Sequence, residues 1–386
     1  MKQLSAVFFL LLLSCCLHAQ MNNNRIVSPD IQADNSVIFK IKAPYATSAA
    51  VIGTFSLDFK PVSMVKNDSG VYEAKIGPLP SGMYEYRFLL DSIPVLDPGN
   101  NAVTRDGMYV ENRLLIPGKL GDLIATQNVP HGNVTAVWYE SPTLGTTRRM
   151  YVYTPPGYDN TKDNYPVLYL LHGNGGDEDG WISRGRANYI IDNLIASKEA
   201  VPMIVVVTNG NPDAVSAPLD KPLNANTKDL PGVASMASQR FEQSFVKDIM
   251  PYIEKNYRVV ADADHRAIAG LSMGGYQTQN ITNANPTMFK YIGVMSMGLF
   301  SSFGNNPNPN YNKDQHIAQL KALITANPKL YWIGIGKQDF LYGTAVKLRS
   351  LYDEVGLKYT YFESDGNHTW NMWRLFLTEL APKLFK

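Results

Sequence analysis

The order of apolar and polar positions divides the chain in two. Before about residue 117 the apolar residues come in short alternating runs, at residues 36–41, 49–52, 72–76 and 84–89. A period of two predicts strands with one buried face. Turn-forming clusters separate the runs: Asn67-Asp68-Ser69-Gly70, the stretch from Pro78 to Gly82, and Asp97-Pro98-Gly99-Asn100. The spacing predicts a small all-β sandwich over residues 21–117. Residues 114–127, broken by Pro117-Gly118 and Gly121-Asp122, read as a linker. From residue 123 to residue 386 the pattern changes. Unbroken apolar runs at residues 167–171, 203–207, 267–269, 291–296 and 330–335 predict strands buried on both faces. Residues 243–255 and 316–326 carry helical apolar spacing. Strands alternating with helices predict an α/β domain with a mostly parallel sheet covered on both sides.

The sharpest feature lies in that second part. Residues 266–269 read as a buried strand that runs into Gly270-Leu271-Ser272-Met273-Gly274, and residues 276–283 continue as a helix until Asn285-Pro286. The glycines on either side of Ser272 match G-x-S-x-G, a turn that pushes a serine hydroxyl out of a strand–helix junction. Serine is a poor nucleophile unless it is exposed to a base in this way. The helix that starts at the serine turns its free N–H groups toward any oxyanion formed there. With the alternating strands and helices, this turn predicts the α/β-hydrolase fold.

Chain order selects the partners of Ser272. In this fold the nucleophile comes first, then the acid, then the histidine. Of the six histidines only His316 and His368 follow Ser272. His316 falls in an amphipathic helix with the pattern of a solvated face. His368 falls in a turn after the strand predicted at residues 359–362, where the base belongs. The acid is expected after the strand at residues 330–336, which selects Asp339; Asp365, close to His368 in sequence, is the competitor. His172-Gly173-Asn174-Gly175-Gly176 directly follows the strand at residues 167–171 and matches an oxyanion-loop motif. The backbone N–H groups of Asn174 and Met273 are the expected oxyanion donors. Trp181, Phe340 and Trp370 sit beside these motifs, either as walls of an aromatic acyl pocket or as core packing. Residues 209–239 lack periodicity, contain Pro212, Pro218, Pro222 and Pro231, and are expected to form either a rim or lid over the site or a disordered insertion. Residues 305–312, rich in Asn and Pro, are expected to form a surface loop.

Charge and cysteine usage narrow the picture. The formal net charge is +1 over 386 residues, with 45% hydrophobic and 18% charged residues. No basic surplus points to nucleic acid. Residues 1–19 read as a signal peptide, with an apolar run too short to span a bilayer. The two cysteines, Cys15 and Cys16, both lie in that segment, so the alternative is a lipoprotein anchor at one of them. Beyond it the chain has no cysteine for a disulfide or a metal site.

Two resemblances follow from these residues. Gly70-Val71-Tyr72, Gly77-Pro78-Leu79, the stretch from Tyr84 to Phe88, and Asp97-Pro98 resemble the immunoglobulin-like N-terminal modules of glycogen-branching and debranching enzymes. The five tryptophans all lie after residue 117, so the exposed tryptophans that bind glucan in some of those modules are missing. The stretch from Tyr151 to Tyr158, Leu170-Leu171-His172-Gly173 with Trp181, Gly270 to Gly275, Gly336 to Asp339, and His368-Thr369-Trp370 resemble the esterase-D-like α/β-hydrolases. That family includes feruloyl and acetylxylan esterases and enterochelin esterases. Val129-Pro130-His131-Gly132 and the exported address look most like secreted bacterial feruloyl esterases. The resemblance implies a serine esterase with Ser272, His368 and Asp339 as its triad. It would act on plant cell-wall oligosaccharide esters and need no metal or cofactor. An acetylxylan esterase and a siderophore esterase are the alternatives within the family. A glycan-binding protein on a degenerate hydrolase scaffold is the non-enzymatic one.

Overall fold

The alternating runs of the first part pair as antiparallel strands. The computed structural model describes residues 26–218, 239–303, 306–308 and 311–386. The expected signal peptide with Cys15 and Cys16, and most of the 209–239 loop, lie outside the described residues. One sheet has four strands, with Val37–Lys42 and Val71–Ile76 at its centre. The other has six, built around Ala49–Gly53, Gly82–Leu90 and Tyr109–Ile116. Their apolar faces meet in one core of Val37, Phe39, Val51, Tyr86, Phe88 and Leu114. The alternation seen in the sequence is this inward and outward alternation of the pleat.

The second part forms one sheet of eight strands. They are Asn133–Ser141 (β1), Thr146–Thr154 (β2), Val167–Leu171 (β3), Ile204–Thr208 (β4), Arg266–Leu271 (β5), Tyr291–Met295 (β6), Leu330–Gly336 (β7) and Thr360–Ser364 (β8). The order is β1-β2-β4-β3-β5-β6-β7-β8. β1 and β2 are antiparallel to their neighbours, and β3 to β8 run parallel. The unbroken apolar runs have the expected cause, because each face of the sheet has its own core. Leu168, Leu170, Val205, Val207, Ala267 and Ala269 pack on one side. Val167, Tyr169, Ile204, Val206, Ile268 and Val294 pack on the other. Parallel register then sets the ends of the strands side by side: Leu171 pairs with Gly270, and Gly336 with Ser364. The loops that follow β3, β5, β7 and β8 therefore open on one edge of the sheet, where ligands bind in sheets of this kind.

Several elements differ from the sequence expectation. The linker expected at residues 114–127 is ordered structure: strand Tyr109–Ile116 ends inside it and helix Lys119–Ile124 follows. Pro and Gly marked the breaks, but six residues are too few to show helical periodicity. Asn193 Nδ2 donates to the carbonyls of Leu123 (2.8 Å) and Ala125 (2.9 Å) and fixes this segment to helix Ala187–Ala196. β1 went unseen because neither of its faces is evenly apolar: Asn133, Thr135 and Ser141 share one with Val137 and Tyr139, and the other, with Trp138 and Glu140, is exposed for most of its length. Of the expected loop at residues 305–312, Asn306–Pro307 pairs with Ser302–Phe303. Among the described residues no helix is long and apolar enough to cross a membrane.

The two parts are joined by a buried ion pair. Glu85, on strand Gly82–Leu90, meets Arg374, on helix Trp370–Leu380, at 2.8 Å, and both side chains are 0% exposed. Arg374 also donates to the carbonyls of Arg184 (2.7 Å) and Met83. Burial pulls the Arg374 guanidinium below its ordinary value, and the Glu85 charge opposes that pull. Removing one member of such a pair strands the other charge without a partner. Glu85→Ala is expected to lower unfolding free energy by about 3–5 kcal/mol in a urea titration. A loss below about 1 kcal/mol would show that the pair does not hold the two parts together.

Candidate active site

The turn after β5 has the strained form that its sequence predicts. Ser272 has φ +51° and ψ −117°, outside the regions that a non-glycine residue normally occupies. It caps helix Met273–Ala284, and its N–H donates to the carbonyl of Met295 at 2.9 Å. The flanking glycines are required by close approach. A Cβ on Gly270 would lie 2.3 Å from the backbone of Gly274, and one on Gly274 would lie 2.6 Å from the carbonyl oxygens of Leu171 and His172. The first N–H groups of the helix, Met273 among them, have no intrahelical acceptor. They emerge at the serine.

The histidine and its acid come together from the loops after β8 and β7. His368 Nδ1 lies 2.9 and 3.0 Å from the two carboxylate oxygens of Asp339. Asp339 also accepts from the N–H of Leu341 at 2.8 Å, and its side chain is fully buried. With Nδ1–H donated to Asp339, Nε2 is left as the basic atom of the ring. Asp365 points elsewhere: it is 81% exposed and pairs with Lys337 at 3.1 Å. His316 lies on helix Lys313–Ala326, against the ring of Tyr311. It lines a cleft of about 320 Å³ with Glu242, Tyr276, Asn280 and Phe300; Ser272, Asp339 and His368 do not line that cleft.

The loop after β3 is fastened at its first residue. The N–H of Gly210 donates to His172 Nε2 at 2.8 Å, which assigns the ring proton to Nδ1, and Nδ1 then donates to the carbonyl of Gly173 at 2.7 Å. A Cβ on Gly173 would lie 3.4 Å from the Cβ of Ser272, so this loop passes directly over the serine. Asn174 follows, exposed at the surface.

The aromatic residues divide. The pocket-wall reading of Trp181 and Trp370 is corrected, since both are core residues. Trp181 is 0% exposed and its indole donates to the carbonyl of Leu171 at 2.9 Å. Trp370 is 3% exposed, and the two rings meet edge to face at 5.1 Å. Their size and apolar neighbours in sequence favoured burial. Phe340 is 75% exposed, with its ring 4.5 Å from that of His368. Sequence reasoning missed Trp373, whose ring is perpendicular to that of His368 at 5.1 Å and whose indole donates to Ser296 Oγ. Its position three residues after Trp370 puts both on one helix face, a usable signal. It also missed Arg105 and Asp106, which touch the site from the first part of the chain and belong to no motif.

Comparison with known proteins agrees with this geometry. The model of the Esterase family matches residues 141–384. An endo-1,4-beta-xylanase/feruloyl esterase of Xylanibacter ruminicola is 30% identical over 366 residues, covering 93% of this chain and 46% of that protein. The chain thus spans about half the length of that relative. Among solved structures, a ferulic acid esterase is 27% identical with a TM-score of 0.53, over 66% of this chain and 97% of its own. The enterobactin esterase of Shigella flexneri has a TM-score of 0.65 at 15% identity, over 89% of this chain and 92% of its own. That likeness shows a shared fold that includes the N-terminal part.

A substitution tests the turn. Gly274→Ala is expected to lower unfolding free energy by about 1–3 kcal/mol in a urea titration, since the new methyl group meets two backbone carbonyls that cannot turn away. Unchanged stability would mean that the helix does not start where the structure puts it.

Proposed function

The chain belongs to the Esterase family, and we propose that it is a secreted serine esterase that releases ferulate and related hydroxycinnamates from plant cell-wall arabinoxylan. The observation that carries this reading is the pairing of His368 with Asp339 on the sheet edge where Ser272 is held at positive φ. The substrate follows from the name of the Xylanibacter ruminicola relative and from the exposed Phe340 beside His368.

The chemistry runs through these residues alone. Ser272 Oγ attacks the ester carbonyl and His368 Nε2 takes its proton. Asp339 fixes the ring orientation and stabilises the imidazolium that forms. The N–H groups of Met273 and Asn174 receive the oxyanion. His368 then gives that proton to the leaving sugar oxygen, which departs as a hydroxyl. Water, deprotonated by His368, attacks the acyl-serine and releases the acid. Apart from Phe340, the apolar rim has one contributor from the first part of the chain. Leu57, 63% exposed, accepts at its carbonyl from Asn367, the neighbour of His368. A flat aromatic acyl group fits an apolar rim of this kind better than an acetyl group does.

The shared layout with the enterobactin esterase favours a second reading, hydrolysis of a catecholate siderophore. Such a ligand is anionic and calls for cations at the rim. The loop at residues 209–239 carries Lys221 and Lys228 against Asp213, Asp220 and Asp229 in its interior, which gives no positive surplus.

Two measurements test the proposal. Asp339→Asn is expected to lower kcat on methyl ferulate by on the order of 10⁴-fold, as in another serine-hydrolase triad, while Asp365→Asn leaves it within about twofold. A larger loss for Asp365→Asn would reassign the acid. On substrates, kcat/KM is expected to be higher for a feruloylated arabinoxylan oligosaccharide than for acetylated xylan or enterobactin. Preference for the acetylated sugar would make the protein an acetylxylan esterase, and preference for enterobactin a siderophore esterase.

A further inference from the structure

The loop expected to hold the oxyanion is gripped by the other half of the chain. Strands Val103–Asp106 and Tyr109–Ile116 form a hairpin whose tip reaches into the second part. Three consecutive contacts are made there. Arg105 donates to both carboxylate oxygens of Asp177 (2.7 and 2.8 Å) and, through Nε, to Asp179 at 3.0 Å, while its backbone N–H donates to Ser183 Oγ at 2.9 Å. Gly107, at φ +57°, packs its backbone on that of Gly175; a Cβ there would lie 1.8 Å from the Gly175 carbonyl oxygen. Asp106, between them, is half-buried, with its Oδ1 shielded from solvent. Its Oδ2 accepts from the Trp370 indole at 2.8 Å. Its Oδ1, without a hydrogen-bond partner among the described residues, lies against Gly176 and Gly180, where added Cβ atoms would come within 2.5 and 2.7 Å.

From Asp106, contacts run to both halves of the site. One path is direct, through Gly176 to the loop that crosses Ser272. The other passes through rings: Trp370 meets Trp373 at 5.2 Å and 83°, and Trp373 meets His368 at 5.1 Å and 90°. We propose that Asp106 is a positioning residue of the active site, and that the N-terminal part of the chain serves catalysis by setting the oxyanion loop and the His368 ring in register through the hairpin tip. This rests on the reading of Ser272 and His368 as the catalytic pair. The Glu85–Arg374 pair and the apolar cores include none of the tip residues Arg105, Asp106 and Gly107. The hairpin tip instead touches the segments whose placement decides where the oxyanion and the base sit. Displacements of about 1 Å in such groups cost roughly 100-fold in rate.

The chemistry at Asp106 separates positioning from charge. Burial raises the Asp106 carboxyl above its ordinary value, opposed by the Trp370 hydrogen bond and the nearby Arg184 charge. Asparagine matches that carboxyl in shape and keeps an oxygen for the Trp370 indole, whereas alanine removes the link. Trp370→Phe deletes the same hydrogen bond and keeps most of the ring packing, so it serves if Asp106→Ala does not fold.

The test is steady-state hydrolysis of p-nitrophenyl acetate by the full chain, a substrate too small to use the apolar rim. Asp106→Ala and Trp370→Phe are expected to lower kcat about 10- to 100-fold with KM within about threefold, in protein of unchanged circular dichroism. Asp106→Asn is expected to restore kcat to within about fivefold of the parent. Parent-level kcat in both Asp106→Ala and Trp370→Phe, or an Asp106→Asn variant as slow as Asp106→Ala, overturns the proposal. Ser272→Ala in the same assay keeps the two claims apart. Full activity there rejects the catalytic site itself, whereas its loss beside an active Asp106→Ala rejects only the positioning role.

Discussion

The backbone of Ser272 is the constraint on which the rest depends. A serine at φ +51° and ψ −117° is strained by about 1–3 kcal/mol and persists only when its surroundings over-determine it. Here they do. The strand before it is locked between β3 and β6, and the helix after it is packed so closely that Gly270 and Gly274 leave no room for a methyl group. The N–H of Ser272 is tied to Met295. The strain places a hydroxyl where no relaxed turn would put it, at the edge where the loops from β3, β7 and β8 converge. Parallel register is what makes them converge, so the chemistry is already implicit in the order of the strands.

A second layer of order comes from charge that has been taken out of water. Glu85 and Arg374 are both fully buried, and the Arg105 fork closes on Asp177 and Asp179. Buried pairs of this kind add little net stability compared with apolar packing, but they tolerate only one geometry. All of them cross between the N-terminal sheets and the hydrolase sheet. The first half of the chain is therefore not a separate module on a tether: its strands supply ion-pair and hydrogen-bond partners to the loop at residues 172–180 and to the helix behind His368. This contact also gives a physical reason for a fold that keeps both parts together.

What the sequence revealed and what it hid have different physical origins. Ser272, His368 and Asp339 were legible because each sits at a strand end and the fold fixes their order along the chain. Asp339 and Asp365 were separable only by that rule, and the structure puts the carboxylate of Asp339 on the imidazole while Asp365 faces solvent beside Lys337. The strands with unbroken apolar runs were visible because both faces are buried; β1, mixed in composition and largely exposed, was not. Helix Lys119–Ile124 was hidden by the same glycine that begins it. Whether Trp181 and Trp370 line a pocket or fill the core stayed open in the sequence, because proximity to the motifs says nothing of which way a ring turns. Asp106 left no trace at all. Its role comes from a contact with Trp370 across 264 residues of chain, and no local pattern encodes such a contact.

The most direct test of the account is covalent. A fluorophosphonate that mimics the tetrahedral intermediate should react once per chain, and peptide mass spectrometry should place the adduct on Ser272. His368→Ala should slow that labelling by orders of magnitude, because the hydroxyl then has no base. An adduct on a different residue, or labelling of Ser272 at the parent rate in the His368→Ala variant, would contradict the assignment of this serine as a nucleophile activated by that histidine.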